Sequence, residues 1–214
     1  MRMLAYCFAV TLLFTACQKE ISDEVTGGGN AGDYQPVSAN SEWNYHSTSQ
    51  GDYTVKAVGT DTMINGLRYY SFDNINAGIT QRFYVSKERG VYHEYTFFPP
   101  AATKLDIVVL KDSAVGTSWI NTLNRGGVFS YHKYTILAKG QQRTVNGKTF
   151  NDVIEVDYEM SIDDPFGGNT PLKLGTGKNY WAKNVGAIES FYNISFLGMP
   201  LVTDTTKLVS YTIR

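Results

Sequence analysis

The sequence predicts an all-β protein, a long curved antiparallel sheet (a half-barrel or open barrel) built from two similar β-meander units. Three observations lead there. Aromatic residues make up 14% of the 214 residues, and 20 Gly stand against six Pro, a mix that suits pleated, half-buried surfaces broken by turns. Two Asn-Gly pairs, Asn65-Gly66 and Asn146-Gly147, each sit between alternating apolar and polar residues. Finally, the chain repeats its landmarks in one order. Hydrophobic residues at 43% and charged residues at 18% support a buried core. The formal net charge of −1 excludes a strongly basic nucleic-acid binder and a polyacidic tail protein.

Met1 to Ala16 reads as a processing segment. Arg2 precedes an apolar run from Leu4 to Ala16 that only Thr11 and Thr15 interrupt. As a helix this run spans roughly 20 Å, short of the ~30 Å hydrocarbon core, so it predicts a signal peptide and not a permanent span. It ends Leu13-Phe14-Thr15-Ala16-Cys17, which resembles the cleavage box of bacterial lipoproteins. That resemblance implies lipidation of Cys17 and cleavage before it, and hence a membrane anchor. Phe14 departs from the Leu usual at that place. Cys7, the second of the two cysteines, lies in the segment to be removed, so Cys17 has no disulfide partner in the mature chain.

Residues 17–35 are expected to form a lipidated Cys and a flexible tether. Lys19 is outnumbered by Glu20, Asp23, Glu24 and Asp33, and Gly27-Gly28-Gly29-Asn30-Ala31-Gly32 follows. A Gly-rich coil of this length has an end-to-end distance of about 25 Å. The early Gln18-Lys19-Glu20 and Asp23-Glu24 resemble the short Lys/acidic signals of some surface-displayed Bacteroidota lipoproteins, although Ile21 and Ser22 interrupt that pattern. A plain solvated acidic linker reads the same. The expected location is the outer membrane, lipid-anchored, with surface display left open.

The β domain covers residues 36–214, as two repeats of about 36–110 and 111–214. Tyr53-Thr54-Val55-Lys56-Ala57-Val58-Gly59 realigns on Tyr134-Thr135-Ile136-Leu137-Ala138-Lys139-Gly140, and without a gap Ile64-Asn65-Gly66 meets Val145-Asn146-Gly147. Upstream, Trp43 matches Trp119; downstream, Arg82-Phe83-Tyr84-Val85 matches Asn179-Tyr180-Trp181-Ala182. Asn-Gly tolerates the positive φ angles of a type I′ hairpin turn. Around the second turn, Tyr134, Ile136 and Ala138 alternate with Lys133, Thr135 and Lys139, while Ile154, Val156, Tyr158 and Met160 alternate with Glu155, Asp157 and Glu159. That period of two predicts one buried and one wet face. Further strands are expected near 42–47, 67–73, 81–86, 91–97, 105–110, 179–183, 188–196 and 207–213, and helix should be scarce. These features resemble small Bacteroidota lipoproteins built on long antiparallel sheets. The resemblance implies half-barrels of the lipoprotein-carrier type, or lipocalin-like barrels, and names no ligand.

Residues that could carry chemistry are few. His46, His93 and His132 fall in no metal-binding spacing, and His93 and Glu94 should point to opposite sheet faces. Glu155, Asp157 and Glu159 share a face at about 7 Å spacing. Glycosidases use such carboxylate pairs, yet a solvated face opposite Lys133 and Lys139 gives the same pattern. The inserted loop Asp163-Asp164-Pro165-Phe166-Gly167-Gly168-Asn169 offers hard oxygens without EF-hand spacing. Tyr92, Tyr95, Phe97, Phe98, Tyr180 and Trp181 form an aromatic set suited to packing or to a sugar or lipid ligand. The expectation is a non-enzymatic, membrane-anchored binding or structural domain with no cofactor and no nucleic acid. Its partner would be an apolar or glycan ligand or another protein, with a lipid carrier or a surface glycan hydrolase as alternatives.

Overall fold

The computed structural model describes residues 32–98, 103–125, 127–168 and 170–214, without the side chains of 97, 98, 103, 104 and 125. Twelve strands follow one another: β1 (Glu42–Ser47), β2 (Gly51–Ile64), β3 (Leu67–Asn76), β4 (Ile79–Glu88), β5 (Val91–Phe98), β6 (Thr103–Lys111), β7 (Ser118–Arg125), β8 (Val128–Val145), β9 (Lys148–Ile162), β10 (Leu172–Ala182), β11 (Gly186–Phe196) and β12 (Met199–Thr212). They form one antiparallel sheet in the order β6-β5-β4-β3-β2-β1-β12-β11-β10-β9-β8-β7. Each repeat contributes six consecutive strands, and β1 and β12 join the repeats along a six-residue ladder from Glu42–Thr212 to Ser47–Thr206. The sheet then curls until its two ends, β6 and β7, meet. The result is a near-closed barrel, the open-barrel alternative of the sequence reading.

Both Asn-Gly pairs adopt the expected turn, with φ of 50° and 83° at Asn65-Gly66 and 48° and 79° at Asn146-Gly147. Ala77-Gly78, Arg89-Gly90 and Leu197-Gly198 take the same conformation. There the Gly supplies the second positive φ, and the first residue accepts the strain. Ser118–Arg125, where no strand was expected, is a full strand. Around the inserted loop, β9 runs to Ile162 and β10 begins at Leu172, so residues 163 to 171 connect the two strands.

Alternation fills the barrel. Trp43, Ala57, Phe72, Val85, Ile188 and Leu208 centre one buried cluster, and Trp119, Tyr134, Ile136, Ile154, Val156 and Tyr158 the other. The two tryptophans that open the repeats act reciprocally. Trp43 Nε1 of the first repeat donates to the Val185 carbonyl of the second at 2.6 Å, and Trp119 Nε1 of the second donates to the Val108 carbonyl of the first at 2.9 Å. Burying an indole N–H without an acceptor costs free energy, so each tryptophan locks its repeat onto the other.

The β4–β5 and β10–β11 turns share one end of the barrel, and residues 33–35 dock there. Tyr34 is buried, its amide donates to the Tyr92 hydroxyl at 3.0 Å, and Asn184 N donates to the Asp33 carbonyl at 2.6 Å. The last three residues of the expected tether are therefore part of the domain. One aromatic ring with a place in the core outweighs the polar composition around it. Cys17 and the rest of the tether lie outside the described residues.

Candidate functional site

At the opposite end, among the β1–β2 and β11–β12 turns, the lumen stays open. A cavity of about 420 Å³ is lined by Ser49, Gln50, Tyr53, Tyr134, Tyr158, Ser190, Tyr192, Ile194, Val202, Asp204 and Thr206. Strand parity puts them there. Tyr192 pairs with Asp204, Ser190 with Thr206 and Ile194 with Val202 across β11–β12, while Tyr134 pairs with Tyr158 across β8–β9. Residues directly opposite in an antiparallel ladder share a face. Gly177 of β10 leaves the room for one ring. A Cβ there would meet the Phe191 carbonyl oxygen and would lie 2.7 Å from Tyr192 Cδ1.

The tyrosines form a packed set. Tyr158 lies edge-on to Tyr192 at 5.2 Å between ring centroids and tilted to Tyr134 at 5.2 Å, and Tyr45 stacks on Tyr53 at 5.2 Å. Such edge-on and offset contacts are the favourable ones for aromatic quadrupoles. Their hydroxyls are held from the wall: Tyr192 donates to Asn179 Oδ1 at 2.5 Å, Tyr45 donates to the Ala187 carbonyl at 2.9 Å, and Tyr158 shares a hydrogen bond with His132 Nδ1 at 2.8 Å. Burial pushes the Tyr53 and Tyr158 hydroxyls up to about 12 and Tyr134 and Tyr192 higher still. All four stay neutral at ordinary pH.

Two carboxylates belong to this lumen. Asp204 is saturated. Its Oδ1 accepts from Ser47 Oγ at 2.7 Å, Thr48 Oγ1 at 3.1 Å and Ser49 N at 3.0 Å, and its Oδ2 accepts from Thr206 Oγ1 at 2.9 Å. Desolvation alone would raise its pKa, but these donors together outweigh it and hold the carboxyl at about 2. Glu94 is the reverse. It faces inward beside Tyr92, opposite Val85 of β4 and Ile107 of β6, and among the described residues it makes no hydrogen bond or ion pair. Burial pushes its carboxyl up to about 7. Its charge raises the pKa of Tyr53, Tyr134 and Tyr192, so it acts on three of the four rings that line the cavity.

The comparisons with known proteins enter here. No protein-family model matches the chain, and no curated protein matches it in sequence. One solved structure shares the fold: a "putative lipoprotein" from Parabacteroides distasonis ATCC 8503, at 12% identity and a TM-score of 0.51, covering 86% of this chain and 100% of that one. At that identity the likeness is one of architecture.

The residues singled out from sequence are placed elsewhere. Glu155 and Glu159 lie on the outer face and pair with lysines of β10, Glu155 with Lys178 at 2.5 Å and Glu159 with Lys173. Lys133 lies directly opposite Glu159 in the β8–β9 ladder, as expected, whereas Lys139 pairs with Asp112. An ion-paired outer face offers no cleft for glycoside chemistry. The Asp164 carboxylate is taken up by its own loop, through Phe166 N at 2.8 Å and Gly168 N at 3.1 Å, and Asp163 accepts from Tyr131 at 2.8 Å. Asn169 lies outside the described residues, among which no cluster of His, Cys, Asp or Glu is arranged to hold a metal. His46 pairs with Asp52 at 2.6 Å and His93 with Asp106 at 3.2 Å, while Glu94 faces the other way, as expected of neighbours on a strand.

Of the aromatic set, Tyr92 is core. Tyr95 packs outside, T-shaped on Tyr69, and Tyr180 lies under the Arg143 guanidinium at 3.3 Å. Trp181 faces the lumen with Nε1 buried and without a hydrogen-bond partner. The cavity's own residues Tyr53, Tyr192 and Asp204, and the inward-facing Glu94 beyond its lining, were not recognised as a site in sequence. For Glu94 a signal existed: a carboxylate on the inward parity of Tyr92.

Proposed function

We propose that this chain is a lipid-anchored, non-catalytic β-barrel that holds a small ligand in its tyrosine-lined lumen. The open cavity carries this reading, because its 420 Å³ falls in the small-molecule range of roughly 300–1,000 Å³. Aromatic faces with a few fixed polar groups are what such sites are made of. The likeness to the Parabacteroides lipoprotein fold and the Thr15-Ala16-Cys17 box both favour anchoring through Cys17 at the outer membrane. Residues 33–35 dock at the closed end, so a tether running to Cys17 leaves the mouth turned away from the membrane.

The test uses the purified full chain and a chemically diverse small-molecule panel, read as a shift in thermal midpoint. At least one class should stabilise the wild type and leave Ser190→Trp, which fills the lumen, unmoved. A ligand that stabilises both equally binds elsewhere and overturns the lumen reading. A separate test addresses the anchor. Cys17→Ala should lose palmitate labelling and leave the membrane fraction, and retention through a carbonate wash would overturn the anchoring.

A further inference from the structure

Resting on the lumen reading, we propose that the ligand is an organic cation, an amine or quaternary ammonium, held by the tyrosine faces with Glu94 as its counter-ion. Four features of the site converge on this chemistry. Tyr53, Tyr134, Tyr158 and Tyr192 present rings from four strands to one cavity. Aromatic faces carry the negative end of the ring quadrupole and attract an alkylammonium more strongly once it is desolvated. No Lys or Arg is among the residues lining the cavity. Lys87 faces inward but pairs with Asp33 at the closed end.

The remaining feature is Glu94. Buried carboxylates in folded proteins are paired or hydrogen-bonded, as Asp204 is here. Glu94 is half-buried on the inward face and has neither arrangement among the described residues, although Val85, Ile107 and Tyr92 around it are apolar or aromatic. Strand β5 stands six places from β11 around the twelve-strand ring, so Glu94 and Tyr192 approach the lumen from facing walls. A cation between them would meet a carboxylate on one side and rings on the other, with Ile194 and Val202 left for an apolar substituent. A neutral or anionic ligand leaves the Glu94 charge uncompensated. Asp204 cannot substitute, since four donors already occupy its oxygens.

The experiment compares two probes of the same shape, phenyltrimethylammonium and neutral tert-butylbenzene, by calorimetric titration of the full chain in a non-ionic maltoside detergent at pH 8. The cation should bind at least tenfold more tightly than its neutral isostere. Glu94→Gln should bring the two within about twofold, and Glu94→Asp should keep a preference for the cation. Equal affinities in the wild type would overturn the cation assignment and leave the lumen reading standing. A cation preference that survives Glu94→Gln would overturn the role of Glu94, no binding of either probe would overturn the cation assignment, and a panel in which no class stabilises the wild type more than Ser190→Trp would overturn the lumen reading itself.

Discussion

The side-chain amide of Asn121 binds the peptide unit of Val108 as a neighbouring strand would. Val108 N donates to Asn121 Oδ1 at 3.0 Å, and Asn121 Nδ2 donates back to the Val108 carbonyl at 2.9 Å. That carbonyl also receives Trp119 Nε1 at 2.9 Å. The seam between β6 and β7 has no backbone ladder, so three side-chain hydrogen bonds from β7 take its place. The other junction of the repeats, β1 with β12, is a full ladder. The pseudo-symmetric barrel thus has one strong and one weak seam.

Asn121→Leu should loosen the weak seam without unfolding the barrel. It removes two hydrogen bonds and leaves the Val108 N–H without a partner. That costs about 1–3 kcal/mol, against a total stability of roughly 5–15 kcal/mol. Amide hydrogen exchange at Val108 should accelerate while exchange at Tyr45, in the β1–β12 ladder, stays slow. Equal acceleration at both places would mean that the seam is not an independent unit.

How much of this was legible in the sequence follows from what each feature depends on. Period-two alternation is local, so the inward faces of β8 and β9 could be read from Tyr134, Ile136, Val156 and Tyr158 alone. Asn-Gly turns are local too, and both formed. Ala77-Gly78 and Leu197-Gly198 were hidden because only their second residue carries the signal. The lumen is a different kind of object. Tyr53 and Tyr192 lie 139 positions apart and meet only because β1 and β12 join the repeats. No local pattern encodes that closure, so the aromatics nearest the obvious motifs, Tyr95 and Tyr180, were considered as ligand contacts and proved to be packing residues, Tyr180 buried in a core cluster. Tyr34 was missed for a related reason: its burial depends on the Tyr92 hydroxyl, 58 residues away.

Asp204 should matter for the strong seam. It gathers Ser47 at the end of β1 and Thr48 and Ser49 of the β1–β2 turn onto β12. Asp204→Ala strands these donors and should cost about 1–3 kcal/mol, measured by denaturant unfolding. The sign with pH follows from the depressed carboxyl. Its stabilisation is present above the ordinary value of 3.8 and is lost as pH falls toward about 2. The gap between wild type and mutant should therefore narrow in acid, and a constant gap from pH 7 to pH 2 would show that charge plays no part.

Gly177→Ala tests whether the cavity shape is set by β10. The added methyl meets the Phe191 carbonyl and the Tyr192 ring, and the backbone can shift only by breaking the β10–β11 ladder. Overpacking of this kind costs about 1–3 kcal/mol. It should also displace Tyr192 and weaken the hydroxyl bond to Asn179, visible as a changed tyrosine fluorescence. Unchanged stability and fluorescence would place free space where the structure has none.

The last prediction concerns Glu94 and the cost of keeping it. Burial raises its carboxyl from 4.5 to about 7, so the charged form is disfavoured in the folded state. For a raised pKa, the native state binds the proton more tightly than the unfolded chain. The benefit is full below about 4.5, declines as pH rises, and is gone once the pH passes about 7. Relative to the protonated acid, the folded protein at pH 8 then carries a penalty on the order of a few kcal/mol. Glu94→Gln keeps the shape and removes the charge. It should change little at pH 4 and raise the thermal midpoint by roughly 5–10 °C at pH 8, given about 2–4 °C per kcal/mol at this chain length. Tyr53, Tyr134 and Tyr192 face the same carboxyl and stay neutral across this window, so the difference between wild type and mutant isolates Glu94. A midpoint difference that does not grow between pH 4 and pH 8 would mean that the carboxylate is solvated.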